Sequence, residues 1–326
     1  MGNVSRHIVK DSGKISYRNR IALNIYRNRK KVNFSSNVDY TVYTIIIGGE
    51  MKNNMEYTKT FIRLLDTNIY CEYVIQDKPP IILIHGFVAS SYTFHRLKPL
   101  LANNFSVIAI DLPGFGKSEK STSFIYSFNN YAHLVLECLH YFSIKEAYIA
   151  GHSMGGQIAL YTAKRAPNRV KRLILFSSSG YLPRARSLLI YISYLPFFHL
   201  LAKQKIGPQT VIQNLKNVFY DHSLITNDQI EEYGRPLQDK NFSKALVRLL
   251  RHREGDLRSE ELQKIHTPTL LLWGEEDRVV PLTIGKKLVK DLPNARLISY
   301  ERAGHLITEE KPLELYHQIR LFTSDK

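Results

Sequence analysis

The stretch Tyr148-Ile149-Ala150-Gly151-His152-Ser153-Met154-Gly155-Gly156-Gln157-Ile158-Ala159-Leu160 constrains this chain more than any other. It begins as an apolar run that reads as a buried strand, passes through glycines and ends as a helix of small and apolar residues. Ser153 stands at the changeover, in the pattern Gly-x-Ser-x-Gly. A strand that turns into a helix at one residue forces that residue into a strained backbone conformation. A Cβ at position 151 or 155 would crowd such a turn, which is why both are glycine. The serine hydroxyl is then held above a sheet edge, and the following helix adds the positive end of its dipole.

The flanking chain supplies the sheet. Thr60–Leu65 and Ile69–Ile75 read as strands joined at a turn over Asp66-Thr67-Asn68. Ile81-Ile82-Leu83-Ile84 is a continuous apolar run of the kind covered on both faces, and it ends in His85-Gly86-Phe87. A helix is predicted near Tyr92–Leu101, a strand over Ser106–Ile110 and a helix near Phe128–Phe142. After the Ser153 turn and its helix, Val170–Phe176 is a further strand. The strand Thr269–Trp273, a helix at Leu282–Leu292, the strand Arg296–Tyr300 and a helix from Pro312 complete the series. Strands alternating with helices imply a mostly parallel sheet with helices on both faces. Residues 179–265 interrupt the alternation and read as several helices punctuated by Pro183, Pro196, Pro208 and Pro236.

Five segments in this order resemble the α/β-hydrolase-fold serine hydrolases. They are His85-Gly86-Phe87, the loop Asp111-Leu112-Pro113-Gly114-Phe115-Gly116-Lys117-Ser118, the Ser153 turn, Trp273-Gly274-Glu275-Glu276-Asp277-Arg278-Val279-Val280-Pro281, and Ala303-Gly304-His305. The resemblance spans about residues 57–326. It implies an eight-stranded-type, mostly parallel α/β sheet whose core is built from residues 57–178 and 266–326, with 179–265 as an inserted helical cap.

A serine hydroxyl is a poor nucleophile at neutral pH and needs a base. Among twelve histidines, His305 follows a strand through a short glycine-containing loop and so stands at the carboxyl edge of the sheet, with Ser153. His152 is adjacent to the serine, but neighbours on a sharp turn point apart. His85 is expected to shape the loop that carries it rather than to act as base. Glu275, Glu276 and Asp277 all follow the strand that ends at Trp273, and the family pattern Trp-Gly-x-x-Asp-x-x-x-Pro selects Asp277 as the acid that orients His305. The backbone N–H groups of Phe87 and Met154 are the candidate oxyanion donors. The Asp111–Ser118 loop lacks the Walker spacing and is assigned a buttressing role.

The expected reaction is hydrolysis of a carboxylic ester with an apolar acyl or alcohol part through an acyl-Ser153 intermediate, with neither metal nor organic cofactor required. Carbon–carbon bond hydrolases of ring-cleavage products are the nearest alternative. They usually carry Asn before the serine and Trp after the histidine, where this chain has His152 and Leu306. Haloalkane dehalogenases and epoxide hydrolases use Asp where this chain has Ser153, and proline-specific peptidases typically bear Trp after the serine. A non-catalytic hydrolase-fold binding protein is a further alternative, opposed by the complete Ser153, Asp277 and His305 set. The apolar segment within Ser187–Lys203 is expected to pack the cap onto the core and line an acyl pocket rather than to touch lipid.

Composition adds boundaries. No run of about 18 or more apolar residues occurs, so a membrane span is not expected. Cys71 and Cys138 follow no metal or redox spacing and read as buried hydrophobes of a reducing, cytoplasmic setting. The formal charge is +16, and residues 1–56 hold ten Lys and Arg against four acids. This extension lacks a secretory h-region and is expected to be a disordered basic tail, unless Met51 or Met55 is the true start. The remaining basic excess is spread out and carries no nucleic-acid motif, so it reads as a solvated basic surface, with a weak attraction to anionic surfaces as the alternative.

Overall fold

In the computed structural model the described residues are 56–196, 198–199 and 208–324. The basic extension, its apolar Tyr40–Ile47 segment and the two alternative start methionines therefore lie outside the described residues. Eight strands form one sheet in the order β1-β2-β4-β3-β5-β6-β7-β8. They are β1 (Thr58–Leu64), β2 (Thr67–Val74), β3 (Pro80–Ile84), β4 (Ser106–Ile110), β5 (Ala147–His152), β6 (Val170–Phe176), β7 (Thr269–Gly274) and β8 (Ala295–Tyr300). The β1–β2 and β2–β4 pairs are antiparallel. From β4 through β3, β5, β6 and β7 to β8 every pair is parallel.

The apolar runs alternate between two cores. Ile82, Ile84, Ile108 and Ile110 face one side of the sheet. Ile81, Leu83, Val107 and Ala109 face the other. The first side is covered by α1 (Phe128–Tyr141), α2 (Met154–Arg165) and later in the chain α7 (Leu282–Asp291), through residues such as Tyr131, Ile158 and Leu288. The second is covered by Phe94, Leu101 and the last helix, α8 (Pro312–Ser324), through Leu315, Ile319 and Phe322. Both faces are dry, so strands that must be apolar on each side carry unbroken Ile, Leu and Val.

Two local expectations shift. The β1–β2 turn comprises Leu65 and Asp66, at φ 46° and 56°, while Thr67 and Asn68 already pair with Leu64 and Arg63. Two successive residues at positive φ give the tight turn whose twist matches that of the strands it joins. The helix predicted over Tyr92–Leu101 is instead a 3₁₀ turn, Ser91–Phe94, followed by a single α-turn, Lys98–Leu101.

Between β6 and β7 lie α3 (Ser187–Ile192), α4 (Pro208–Val218), α5 (Asn227–Gly234) and α6 (Phe242–His252). The expected packing of the Ser187–Lys203 segment fails at its visible part. Leu188, Tyr191, Tyr194 and Leu195 are exposed, and Ser193 is the buried residue. Burial elsewhere in this region goes to α4 and α6, through Val211, Leu215, Phe242 and Leu249. Among the described residues no helix is long and apolar enough to cross a membrane.

α5 is tied to the core by one buried carboxyl. Glu309 has no exposed surface and accepts hydrogen bonds from Gln229 Nε2 and, at 2.6 Å, from Tyr233 Oη. Burial outweighs these two donors and pushes its pKa from the ordinary 4.5 up to about 7. The unfolded chain then sheds this proton first, so the contribution of Glu309 to stability falls as pH rises from about 4.5 through about 7. Denaturant midpoints of Glu309→Gln across that window are expected to lack this slope, which amounts to on the order of 1–3 kcal/mol in the parent.

Candidate functional site

Ser153 sits between β5 and α2 at φ 54° and ψ −120°. Its N–H donates to the Phe176 carbonyl at 3.0 Å, and its own carbonyl accepts from the N–H groups of Gly156 at 2.9 Å and Ser179 at 3.0 Å. The strained residue is thus clamped on both sides, as a conformation costing about 1–3 kcal/mol must be. A Cβ on Gly151 would lie 2.2 Å from the Gly155 carbonyl oxygen, and one on Gly155 would lie 2.2 Å from that of Ile84. The glycines allow β5, α2 and β3 to meet at backbone distance.

The loop after β3 approaches the same point, because a Cβ on Gly86 would stand 3.0 Å from Ser153 Cβ. Val88, at φ 50°, turns this loop just after that approach. His85 is fully buried, with Nε2 accepting from the Leu112 N–H at 2.9 Å and Nδ1 lying 2.7 Å from the Gly86 carbonyl oxygen. An N–H donor and a carbonyl acceptor fix the neutral tautomer with the proton on Nδ1. Burial lowers its pKa further. His85 is therefore a brace between two loops and is occupied at both nitrogens.

Asp111 braces the second loop, its two carboxylate oxygens accepting from Ser91 N–H at 2.6 Å and Lys117 N–H at 2.7 Å. The Ser118 hydroxyl carries the chain on to β2, accepting from Tyr70 N–H at 2.8 Å.

On the far side of the sheet the loop after β7 delivers three acids, and each has a different partner. Glu275 accepts from the Ser299 hydroxyl and Glu276 from Ala303 N–H. Asp277 alone meets His305, with Oδ2 at 2.8 Å from Nδ1. Its other oxygen accepts two backbone N–H groups, from Val279 and Val280, both at 2.8 Å. The Trp273 indole N–H donates to Val280 and fixes this turn. Asp277 and His305 are each 5% exposed, so the pair is largely dry. An ionised carboxylate can only accept, so the His305 proton resides on Nδ1 and the Nε2 lone pair is free to take another.

His305 is positioned by its backbone as well. Its N–H donates to the Val218 carbonyl at 2.8 Å, at the end of α4. Its carbonyl accepts from His152 Nε2 at 2.8 Å. His152 lies with its ring 4.7 Å from that of His305. Burial foremost, and then the neighbouring His305, push its pKa down to about 3, so it is neutral at any physiological pH. The sequence reading passed over this contact, as it did Glu310, whose carboxylate accepts from Gly304 N–H at 2.6 Å and from Tyr220 and Asp221 N–H at 2.9 and 3.0 Å. His152 occupies a variable position of the Gly-x-Ser-x-Gly motif and Glu310 lies outside any motif, so only the folded loops reveal these contacts.

The structure thus joins Asp277 to His305 directly, and links His305 to the Ser153 turn through His152. Ser153 Oγ has no hydrogen bond to His305 among the described residues. Such a contact commonly tightens only when substrate is bound. Met154 begins α2, where first-turn N–H groups lack helical acceptors, and Phe87 lies in the loop over Ser153.

A strained serine at a strand–helix turn, beside a carboxylate–histidine pair on the same edge of an open eight-stranded sheet, defines an α/β-type hydrolase. The family model for the alpha/beta hydrolase fold matches residues 79–312, and the chain belongs to that family. Over 246 residues it is 46% identical to the uncharacterized hydrolase YugF of Bacillus subtilis (strain 168), covering 75% of this chain and 90% of that one. It is 30% identical over 243 residues to a 2-hydroxy-6-oxononadienedioate/2-hydroxy-6-oxononatrienedioate hydrolase of Burkholderia vietnamiensis, covering 69% and 80%. Among solved structures, a bacterial membrane phospholipase A is similar with a TM-score of 0.68 at 27% identity, over 82% of this chain and 86% of that one.

Proposed function

We propose that this hydrolase is a serine esterase acting on carboxylic esters with an apolar acyl or alcohol part, with Ser153 as nucleophile, His305 as base and Asp277 as its orienting acid. The observation that carries this reading is the buried Asp277–His305 hydrogen bond, which leaves Nε2 as a base on the sheet edge that presents Ser153. Ser153 Oγ attacks the ester carbonyl while His305 Nε2 takes its proton. The carbonyl oxygen becomes an oxyanion held by the N–H groups of Phe87 and Met154. Collapse breaks the carbon–oxygen bond, and His305 returns the proton to the leaving alcohol. Water, deprotonated by the same nitrogen, then releases the acid. The helices between β6 and β7 act as a cap over this edge, with α4 seated on the His305 loop through Val218. An apolar substrate is favoured by the cluster of Val211, Leu215, Phe219 and Leu306 immediately beside His305.

The second reading is hydrolysis of a carbon–carbon bond in a ring-cleavage product, supported by the Burkholderia relative. His152 and Leu306, in place of the Asn and Trp usual there, favour the ester. Turnover of p-nitrophenyl esters of graded acyl length, set beside turnover of a 2-hydroxy-6-oxo dienoate, separates the two. Ester turnover at least about a hundredfold faster, with fluorophosphonate labelling at Ser153, is expected, a difference of about 2.7 kcal/mol in barrier. Faster turnover of the dienoate would sink the ester reading while keeping the nucleophile.

A further inference from the structure

The segment from Leu182 to Leu195 is built inside out. Leu188, Tyr191, Ile192 and Leu195 recur at three- and four-residue intervals and so share one face of α3 and its continuation. That face looks outward, with Leu188 69% and Tyr191 73% exposed. The inward residue is polar: Ser193 has no exposed surface, and its hydroxyl and carbonyl accept from Arg251 Nε and Nη2. The Arg251 guanidinium also lies 4.0 Å over the Tyr194 ring. Arg251 thus holds the segment from beneath while its apolar side is turned to solvent.

Within Leu182–Leu195 the only charged residues are Arg184 and Arg186, while at its Leu182–Arg184 end the segment lines a cleft with Glu254, Asp256, Glu260 and Glu261. From Ala147 to Tyr220 the sequence contains no Asp or Glu. The segment carries Arg184 and Arg186, both exposed, and the Arg184 guanidinium donates to the Arg251 carbonyl beneath it at 3.3 Å. Behind it, Arg248, Arg251 and Arg184 add to burial in depressing the pKa of His252, which reports the local positive field. Exposed Leu, Ile and Tyr with arginine beside and beneath them match a surface whose interior is apolar and whose headgroups are anionic. Contiguous apolar surface of this kind on a folded chain marks an interaction site.

We infer that the Leu182–Leu195 face docks on an anionic phospholipid bilayer, with Leu188, Tyr191 and Leu195 entering the acyl boundary and Arg186 meeting headgroup phosphates. The docking does not depend on which acyl bond is cleaved, and short soluble esters test the hydrolytic reading separately. Vesicles of equimolar phosphatidylcholine and phosphatidylglycerol are expected to bind the full chain at least about fivefold more tightly than pure phosphatidylcholine, because Lys and Arg near an anionic surface are attracted to it. Leu188→Asp/Tyr191→Asp is expected to lower partition at least about tenfold, a change of about 1.4 kcal/mol, with short-ester turnover retained. The chain has one tryptophan, Trp273, which is buried, so Tyr191→Trp provides a conservative local probe. Its emission is expected to shift to the blue and to be quenched by brominated lipid. Vesicle binding without that quenching would assign the attraction to the basic extension and overturn the inference. Partition unchanged in the double Asp variant would overturn it too. A concentration-dependent dimer that the double variant abolishes would show that a second copy of the chain covers this face instead.

Discussion

Ser153→Ala is expected to lower ester turnover by at least about 10⁴-fold while shifting unfolding stability by less than about 1 kcal/mol. The two effects separate because of how the turn is built. Strain at φ 54° is held by backbone contacts to Phe176, Gly156 and Ser179, none of which uses the hydroxyl. Alanine keeps the Cβ, so the turn and the Met154 N–H keep their places. On the proposed mechanism the lost atom is the one that would form the acyl bond, and Asp277 then orients a base, His305, with no nucleophile to serve. Residual turnover would come from the oxyanion donors acting on bound ester, as expected when one member of a cooperating set is removed. Steady-state rates on the preferred ester, with denaturant unfolding of both proteins, measure the two quantities. Turnover within tenfold of the parent would remove Ser153 from the mechanism.

The parts of the molecule legible beforehand are those in which local pattern and global burial agree. β6 matches its predicted span, Val170–Phe176, because its Leu173–Phe176 run is apolar and the strand is flanked by strands on both sides. The fold class was legible for the same reason, and the Ser153 turn because its glycines answer to backbone clashes that no other residue can avoid. Three features were not legible, each for a physical reason. The β1–β2 turn slipped because Leu65 carries no turn signature, although strand twist drives it to positive φ. The Tyr92–Leu101 helix was overcalled because helical spacing there serves two separate turns that place Phe94 and Leu101 in one core. The apolar α3 read as a packing element because hydrophobicity records preference for burial and not whether a partner surface exists. Within the site, the pairing of Asp277 with His305 followed from a family pattern. The choice among three consecutive acids is physically made by which backbone N–H groups each can reach after the β7 turn, and that needs coordinates.

Gly155→Ala is expected to cost about 3–5 kcal/mol of stability, enough to leave little soluble protein at physiological temperature. Its Cβ would stand 2.2 Å from the Ile84 carbonyl oxygen and 2.6 Å from that of His85. Both are backbone atoms at the end of β3, so no rotamer change relieves the contact. β3 cannot retreat, since it is paired with β4 on one side and β5 on the other. The alternative is for α2 to withdraw, which carries the Met154 N–H away from its proposed place as an oxyanion donor and opens the approach of Gly86 to Ser153. Any protein that folds should therefore label slowly with fluorophosphonate as well as unfold early. Gly234→Ala in α5 is the matched control. Its Cβ would meet only Val211 Cγ2, at 3.8 Å, at a helical backbone angle of φ −80°. It is expected to leave labelling unchanged and to stabilise by about 0.4–1 kcal/mol, by narrowing the unfolded ensemble. Thermal unfolding and labelling rates of the two variants side by side provide the test. Equal behaviour would mean that the approach of β3 to α2 does not set the geometry of the turn.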